Sequence, residues 1–319
     1  MKKGFIIAAA VLIATGLALF TGAFIASGFD FSKLGTAKYE TNTYTVGEDF
    51  ERIEINSKET DIIFKPSADG KFSVVCVERE KVRHMVSVEN GTMKISADDK
   101  REWYDHLTLF SKALSMTVYL PSDHYDSLLI DSRTGDVTIP DPFSFGDIDV
   151  AVSTGDVVCG ASASGLFKVK TSTGDIRLDK VSARQMELSV FTGSIDVVSV
   201  TSEETISIEV GTGKTKLTDM ICKSLHSKGR TGDITLKNVV ASDSLNIEMG
   251  TGNVCFENCD AGSITARTST GDVTGTLRTE KVFIAKASTG TVHVPDTISG
   301  GRCEITTSTG NINIELSDI

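Results

Sequence analysis

Five aspartates occupy one recurring position in this chain. Asp136, Asp156, Asp175, Asp233 and Asp272 each follow the glycine of a Thr-Gly pair. Carboxylates serve general acid–base catalysis and bind hard cations, so their spacing decides what such a row can do. Asp136, Asp156 and Asp175 fall on successive repeats; stacked as strands, their carboxylates would stand about 5 Å apart. That is close to the separation of the two carboxyls in a retaining glycosidase. It also suits Ca²⁺, which collects six or more oxygens. Asp after Gly equally suits a turn, where it accepts hydrogen bonds from nearby backbone amides. The other five corners carry Ser194, Lys214, Asn253, Thr291 and Asn311, all at home in a turn, and the lysine interrupts any continuous metal ladder. Turn chemistry is the first reading of the row, and a cation- or ligand-binding row is the functional alternative. No cofactor is implied beyond Ca²⁺.

Other candidate chemistry is sparse. Gly213-Lys214-Thr215 copies the tail of a phosphate-binding loop, but Ile208 stands where that motif needs Gly, and a strand rather than a helix follows. The five histidines, His84, His106, His124, His226 and His293, share no ligand spacing. No His-Glu-x-x-His or Gly-x-Ser-x-Gly occurs, so no nucleophile, base and orienter assemble from the sequence.

The elements that would position the row are set by a repeat. Thr-Gly recurs at Gly135, Gly155, Gly174, Gly193, Gly213, Gly232, Gly252, Gly271, Gly290 and Gly310, always 19 or 20 residues apart. A fixed period of this length means stacked repeats. Seven residues before each glycine the side chain is apolar, from Leu128 to Cys303; five before it, all except Ser227 are Ile, Val, Leu or Ala. Two after it stands Val, Ile or Thr, and four after it the lane is apolar except at Gly275. Polar residues fill the positions between, as expected of strands with one buried face. Each unit is read as strand, tight glycine corner, strand and looser return. One such coil cannot bury enough apolar surface to stand alone, and stacking supplies the missing contacts and hydrogen bonds. The expected fold is an all-β parallel β-solenoid with 19–20-residue coils, preceded by one N-terminal transmembrane helix. Counting parity from the inward lanes places the ten corner threonines inside; facing outward instead, they would form a regular hydroxyl array able to order water.

The repeated Ser-Thr-Gly-Asp-Val/Ile units, as in Ser153–Val157, Ser172–Ile176 and Ser269–Val273, resemble the bacterial putative-adhesin β-strand-repeat family. The resemblance covers about residues 50–316 and implies an envelope protein with a β-solenoid. It implies no catalytic residue, because the family is a domain family of unknown function.

The domains expected are a cytoplasmic tip over 1–4, a transmembrane helix (signal anchor) over 5–26, and a linker over 27–38. An irregular β cap with the first coils then covers 39–127, and the regular ten-repeat solenoid covers 128–319. Phe5 to Ala26 carries no charge and is long enough to span a bilayer. Lys2 and Lys3 ahead of it place the N-terminus in the cytoplasm and the rest outside. A cleaved signal peptide is the rival reading, with Ala26-Ser27-Gly28 as its cleavage site. Within the cap, Asn90-Gly91 marks a tight hairpin. Asp98–His106 reads as a charged loop, running into a short helix near Ser111. The last strand, Asn311–Leu316, is expected to leave the rod with an open end. Six cysteines fall in phases that do not pair, so they are expected to remain mostly unbridged, as small core hydrophobes.

The formal net charge of −11 argues against nucleic acid and anionic lipid head groups as partners. It leaves glycans, cationic peptides and envelope proteins, besides the membrane itself. The functional reading is a non-enzymatic, membrane-anchored, extracytoplasmic β-solenoid at the cell membrane, acting as an adhesin-like interaction or scaffold module of the bacterial envelope. The partner would read outward lanes just after the corners, such as Asp156, Arg177 and Lys216. The alternatives are a carbohydrate-active β-helix enzyme, a component of the envelope-stress or antimicrobial-peptide response, and a purely structural assembly element.

Overall fold

The computed structural model describes residues 2–26, 28–29, 38–101 and 113–317. The helix α1 runs over Lys2–Ala26. Its segment Gly4–Ala26, 23 residues, is long and apolar enough to cross a membrane. Most of the expected linker, and the charged stretch beyond Arg101 with its expected helix near Ser111, lie outside the described residues.

From Tyr125 onward the chain winds as a β-solenoid, and the Gly174 coil shows how. A long strand, Leu166–Thr173, buries Phe167, Val169 and Thr171 and exposes residues between them. Gly174 turns the chain, and Ile176–Asp179 forms a second strand that buries Ile176 and Leu178. Lys180, at φ 57°, makes a second corner before the short third strand Ser182–Ala183. The cross-section therefore has three strands, where the sequence suggested two and a loose return. Each long strand pairs in parallel with its neighbours: Phe167 lies beside Ile148 on one side and Met186 on the other. Like residues thus stack into continuous apolar lanes, as period-two alternation requires.

The glycine corner has two causes, both visible at Gly174. Its φ is 137°, a region that side chains with a Cβ avoid. An added Cβ would also meet the carbonyl oxygen of Gly155 at 2.0 Å, because the corners press on one another along the rod.

The corner overturns the expected placement of the threonines. All ten, from Thr134 to Thr309, are exposed. Alternation breaks just before the glycine: Thr171 is buried, and Ser172 and Thr173 both face out. The register skips the same residue, running Thr171↔Val190 and then Thr173↔Thr192. The chain begins to turn at Ser172, and this adds a half-step to the parity count. The hydroxyls that do point inward lie two residues earlier, where Thr171, Thr268 and Thr307 donate to the carbonyls of Gly155, Gly252 and Gly271.

Below the first regular coil lies the cap. Its strands are β1 (Tyr39–Tyr44), β2 (Arg52–Pro66), β3 (Ser73–Arg79), β4 (Val82–Glu89), β5 (Thr92–Asp99) and β6 (Leu114–Leu120). β2 stacks in parallel on the long strand of the Gly135 coil, with Ile53 beside Leu128. On its other side β2 carries β5 and β6. β4 pairs antiparallel with β5 through the Asn90-Gly91 turn, at φ 53° and 71°. β3 pairs antiparallel with β6, and β1 closes the edge on β3.

At the far end the stacking order departs from chain order. The last long strand, Gly301–Thr309, lies between the Gly271 coil and the Gly290 coil, pairing Cys303 with both Ile264 and Phe283. Ile312–Leu316, expected as the open end, is likewise paired in the stack, with Val273–Leu277 on one side and Val292–His293 on the other. The coil that ends the rod is Lys281–His293, where Val282, Ile284 and Val292 are exposed.

Candidate functional site

The aspartate row lies along the glycine corners, and its geometry is uniform. Asp136 Oδ1 accepts the amide N–H of Asp156 at 2.8 Å, Asp156 Oδ1 that of Asp175 at 2.8 Å, and Asp175 Oδ1 that of Ser194 at 2.8 Å. Asp233 serves Asn253, Asn253 serves Asp272, and Asp272 serves Asn311 in the same way. The row begins below the repeats, with Asp61 accepting from Asp136. One oxygen of each aspartate is therefore committed to the next coil's backbone, which otherwise would leave that amide to solvent. Of the second oxygens, those of Asp156 and Asp175 face Arg177 at 3.5 and 2.8 Å. Asp233 and Asp272 line a depression shared with Asn253 and Thr274. The structure thus brings the five predicted aspartates into one line, with the Lys214 corner between Asp175 and Asp233. A parallel ladder marks the second corner, where Asn258 donates to Asn238 and Asn238 to Asp219.

A larger feature lies on the outer face of the long strands. A groove of about 970 Å³ runs across the coils of Gly174 to Gly271 and reaches Thr306 and Ser308. Two outward columns build it. Four residues before each glycine stand Lys170, Ser189, Glu209, Lys228, Glu248 and Arg267. Two before it stand Ser172, Phe191, Gly211, Arg230, Gly250 and Ser269. Phe191 is 66% exposed, unusual for so large an apolar side chain. The residue beside it, Gly211, hugs the backbone so closely that a Cβ would meet the Phe191 carbonyl oxygen at 2.4 Å. The ring thus stands at the edge of a notch, with Arg230 on the notch's far side. Below the strand, the thioether of Met249 fills the space a Cβ on Gly229 would take. Among the described residues, Lys170, Glu209, Lys228, Arg230 and Glu248 form no ion pair, and Arg267 pairs with Glu304 at 2.9 Å. The sequence reading passed over this face for the lanes after the corner. Its signal was a lone phenylalanine in a column otherwise made of Ser, Gly and Arg.

All six cysteines are unbridged, and all but Cys255 are buried. Burial pushes the thiols of Cys159 and Cys303 up to about 12 and those of Cys222 and Cys259 up to about 11, so none of these four is a ready nucleophile.

The family model described as Toastrack DUF4097 matches residues 50–213, half of the chain, and the chain belongs to that family. No curated protein matches the sequence. Among solved structures, a putative adhesin from Parabacteroides distasonis superposes with a TM-score of 0.50 at 12% identity, covering 88% of this chain and 98% of that one. A putative adhesin from Bacteroides fragilis gives 0.43 at 15% identity, covering 87% and 97%. A putative lipid binding protein from Parabacteroides distasonis gives 0.46 at 13% identity, covering 88% and 98%. At these identities the likeness concerns the fold alone.

Proposed function

We propose that this member of the Toastrack DUF4097 family is a membrane-anchored, extracytoplasmic β-solenoid that binds an extended glycan without transforming it. The apolar helix would hold it in the cell membrane, with Lys2 and Lys3 on the cytoplasmic side. The observation that carries the reading is the groove, with its exposed Phe191 and charges of both signs held one coil apart, about 4.8 Å. A sugar ring stacks its apolar face on an aromatic ring, and its hydroxyls accept from Lys and Arg and donate to Glu. Among the groove's charged groups, Lys170, Lys228, Arg230 and Arg267 outnumber Glu209 and Glu248. The groove is thus locally cationic on a chain of net charge −11, which favours neutral or anionic glycans over cationic peptides. The aspartate row would serve this role as scaffold, keeping the coils in register, with the free oxygens of Asp233 and Asp272 as a secondary ligand or Ca²⁺ row.

The test is binding of the full-length protein in detergent to a panel of neutral and anionic polysaccharides, followed by calorimetry on any hit. Phe191→Ala should weaken binding roughly tenfold, the worth of about 1.4 kcal/mol of lost stacking. Unchanged affinity in that variant, or an empty panel, overturns the reading. Release of reducing ends from a bound glycan would instead move the protein to the carbohydrate-active alternative.

A further inference from the structure

The cap holds a polar cluster that none of the solenoid's roles requires. The inward lane of β3 is Val74, Cys76 and Glu78, all fully buried. β4 returns antiparallel from β3 and sets His84, 3% exposed, against them. The Cys76 sulfur, a Glu78 carboxylate oxygen and a ring nitrogen of His84 lie within 4.8 Å of one another. Glu78 is held from every side. One oxygen accepts from Asn42 at 2.7 Å and Tyr44 at 2.6 Å. The other accepts the His84 amide at 2.9 Å and faces His84 Nδ1 at 2.7 Å. Burial alone would raise the Glu78 carboxyl; the hydrogen bonds from Asn42, Tyr44 and His84 outweigh it and hold the group below its ordinary value. Nε2 of His84 is buried and has no hydrogen-bond partner. A buried polar atom without a partner is destabilising, and an apolar trio would avoid that cost.

We infer that Cys76, Glu78 and His84 form a binding site for one borderline-soft divalent cation of the zinc class. Thiolate and imidazole are the donors such an ion selects over Ca²⁺ or Mg²⁺. Sγ of Cys76, a ring nitrogen of His84 and a carboxylate oxygen of Glu78 are its three protein donors, with the fourth position left open. The ion takes the place of the contact between Glu78 and the imidazole, while Asn42 and Tyr44 keep their hold on the other Glu78 oxygen and orient it. Donors on one tetrahedral ion of this size stand about 3.5 Å apart, given bonds of about 2.0–2.3 Å. The three donor atoms, within 4.8 Å of one another, lie near that separation. Cys76 binds as its thiolate, so the ion displaces the thiol proton. Entry is over β1, an edge strand that among the described residues pairs with β3 alone and supplies the covering Asn42 and Tyr44 side chains. This site is independent of the groove, and its ion would staple β1, β3 and β4 at the base of the rod.

The experiment titrates the full-length protein in detergent with Co²⁺, a spectroscopic stand-in for Zn²⁺. The expected result is a saturable thiolate-to-cobalt charge-transfer band at one equivalent, abolished by Zn²⁺ in competition. Cys76→Ala keeps a small apolar group in the lane and should preserve the circular dichroism spectrum while losing the band. Cys159→Ala removes an equally buried thiol with no histidine beside it and should keep the band. Absence of any band in the wild-type protein overturns the inference, as does a band that survives Cys76→Ala. If His84→Gln unfolds the cap, the two cysteine variants still decide the question.

Discussion

Replacing Gly174 by alanine tests the central claim of the architecture, that the corners touch. Two costs add. Holding an alanine at φ 137° costs about 1–3 kcal/mol, since only glycine visits that region freely. The new Cβ would stand 2.0 Å from the Gly155 carbonyl oxygen and 2.5 Å from its carbon. Relief requires the coils to part at that corner, which strains the bonds from the Gly155 amide to Thr173 and from the Gly174 amide to Thr192, 2.9 and 3.0 Å long. Overpacking of this kind costs a further 1–3 kcal/mol or so. The expected loss is about 2–6 kcal/mol. In a stacked array it should appear first as local melting around the substituted coil. Urea unfolding followed by circular dichroism measures it, with Thr173→Ala as the control. Thr173 is exposed, so that change should stay within about 0.5 kcal/mol. If Gly174→Ala is as mild as Thr173→Ala, the glycine is not required by close approach and the argument fails.

Two further outcomes follow from buried charge. Lys281, with 4% of its side chain exposed, is held by Asp260 at 2.6 Å, so Asp260→Asn should leave a stranded ammonium and cost about 3 kcal/mol, the low end for a broken buried pair because Asp260 is itself partly solvated; loss should show as faster amide exchange in Lys281–His293, and unchanged protection there would refute it. The carboxyl of Glu78 lies below its ordinary value when folded, so its contribution is fully present above the unfolded carboxylate value and is lost as pH falls through the folded one; Glu78→Gln should flatten this acid limb of cap stability, and an unchanged slope would show that other groups carry it.

The apolar lanes were legible in the sequence because a strand with one buried face must alternate, and nine of the ten corners kept their lanes intact four residues past the glycine. The glycine corner was legible for a similar reason: few residues tolerate its backbone. The second corner was not, because its left-handed residues are Lys180, Ser199, Asp219, Asn238 and Asn258, a set with no common chemistry. The threonines were misplaced because parity counting assumes an unbroken strand, and the turn begins two residues before the glycine. The groove was hidden for a different reason: Phe191 stands out only once its column is known to face solvent. The cluster in the cap was hidden by topology. His84 and Cys76 share no motif spacing, and only the tight β3–β4 return brings them together.

The swapped order of the last two coils was hidden most deeply, and it is also the most sharply testable. Its trace in the sequence is compositional. The Gly290 coil buries Phe283, Ala285 and Ala287 only partly, whereas Cys303, Ile305, Ile312 and Ile314 of the Gly310 coil are completely enclosed. The coil with the better core residues takes the interior layer, and the one with small residues takes the end, where one face meets no neighbour. The departure starts at Gly275, whose φ of 131° and contact with the Phe256 carbonyl replace the apolar side chain of that lane. From there Leu277 pairs with Cys259 and Leu316. Engineered disulfides separate the two orders. Thr270 is the register partner of Thr309, and Thr309 that of Thr289. Adjacent layers are about 4.8 Å apart, within reach of a disulfide, and layers two apart exceed the limit of about 7 Å. Thr270→Cys with Thr309→Cys should therefore cross-link rapidly under mild oxidant, and Thr270→Cys with Thr289→Cys should not. Chain-order stacking predicts the reverse, so cross-linking of the second pair in place of the first would refute the swapped arrangement.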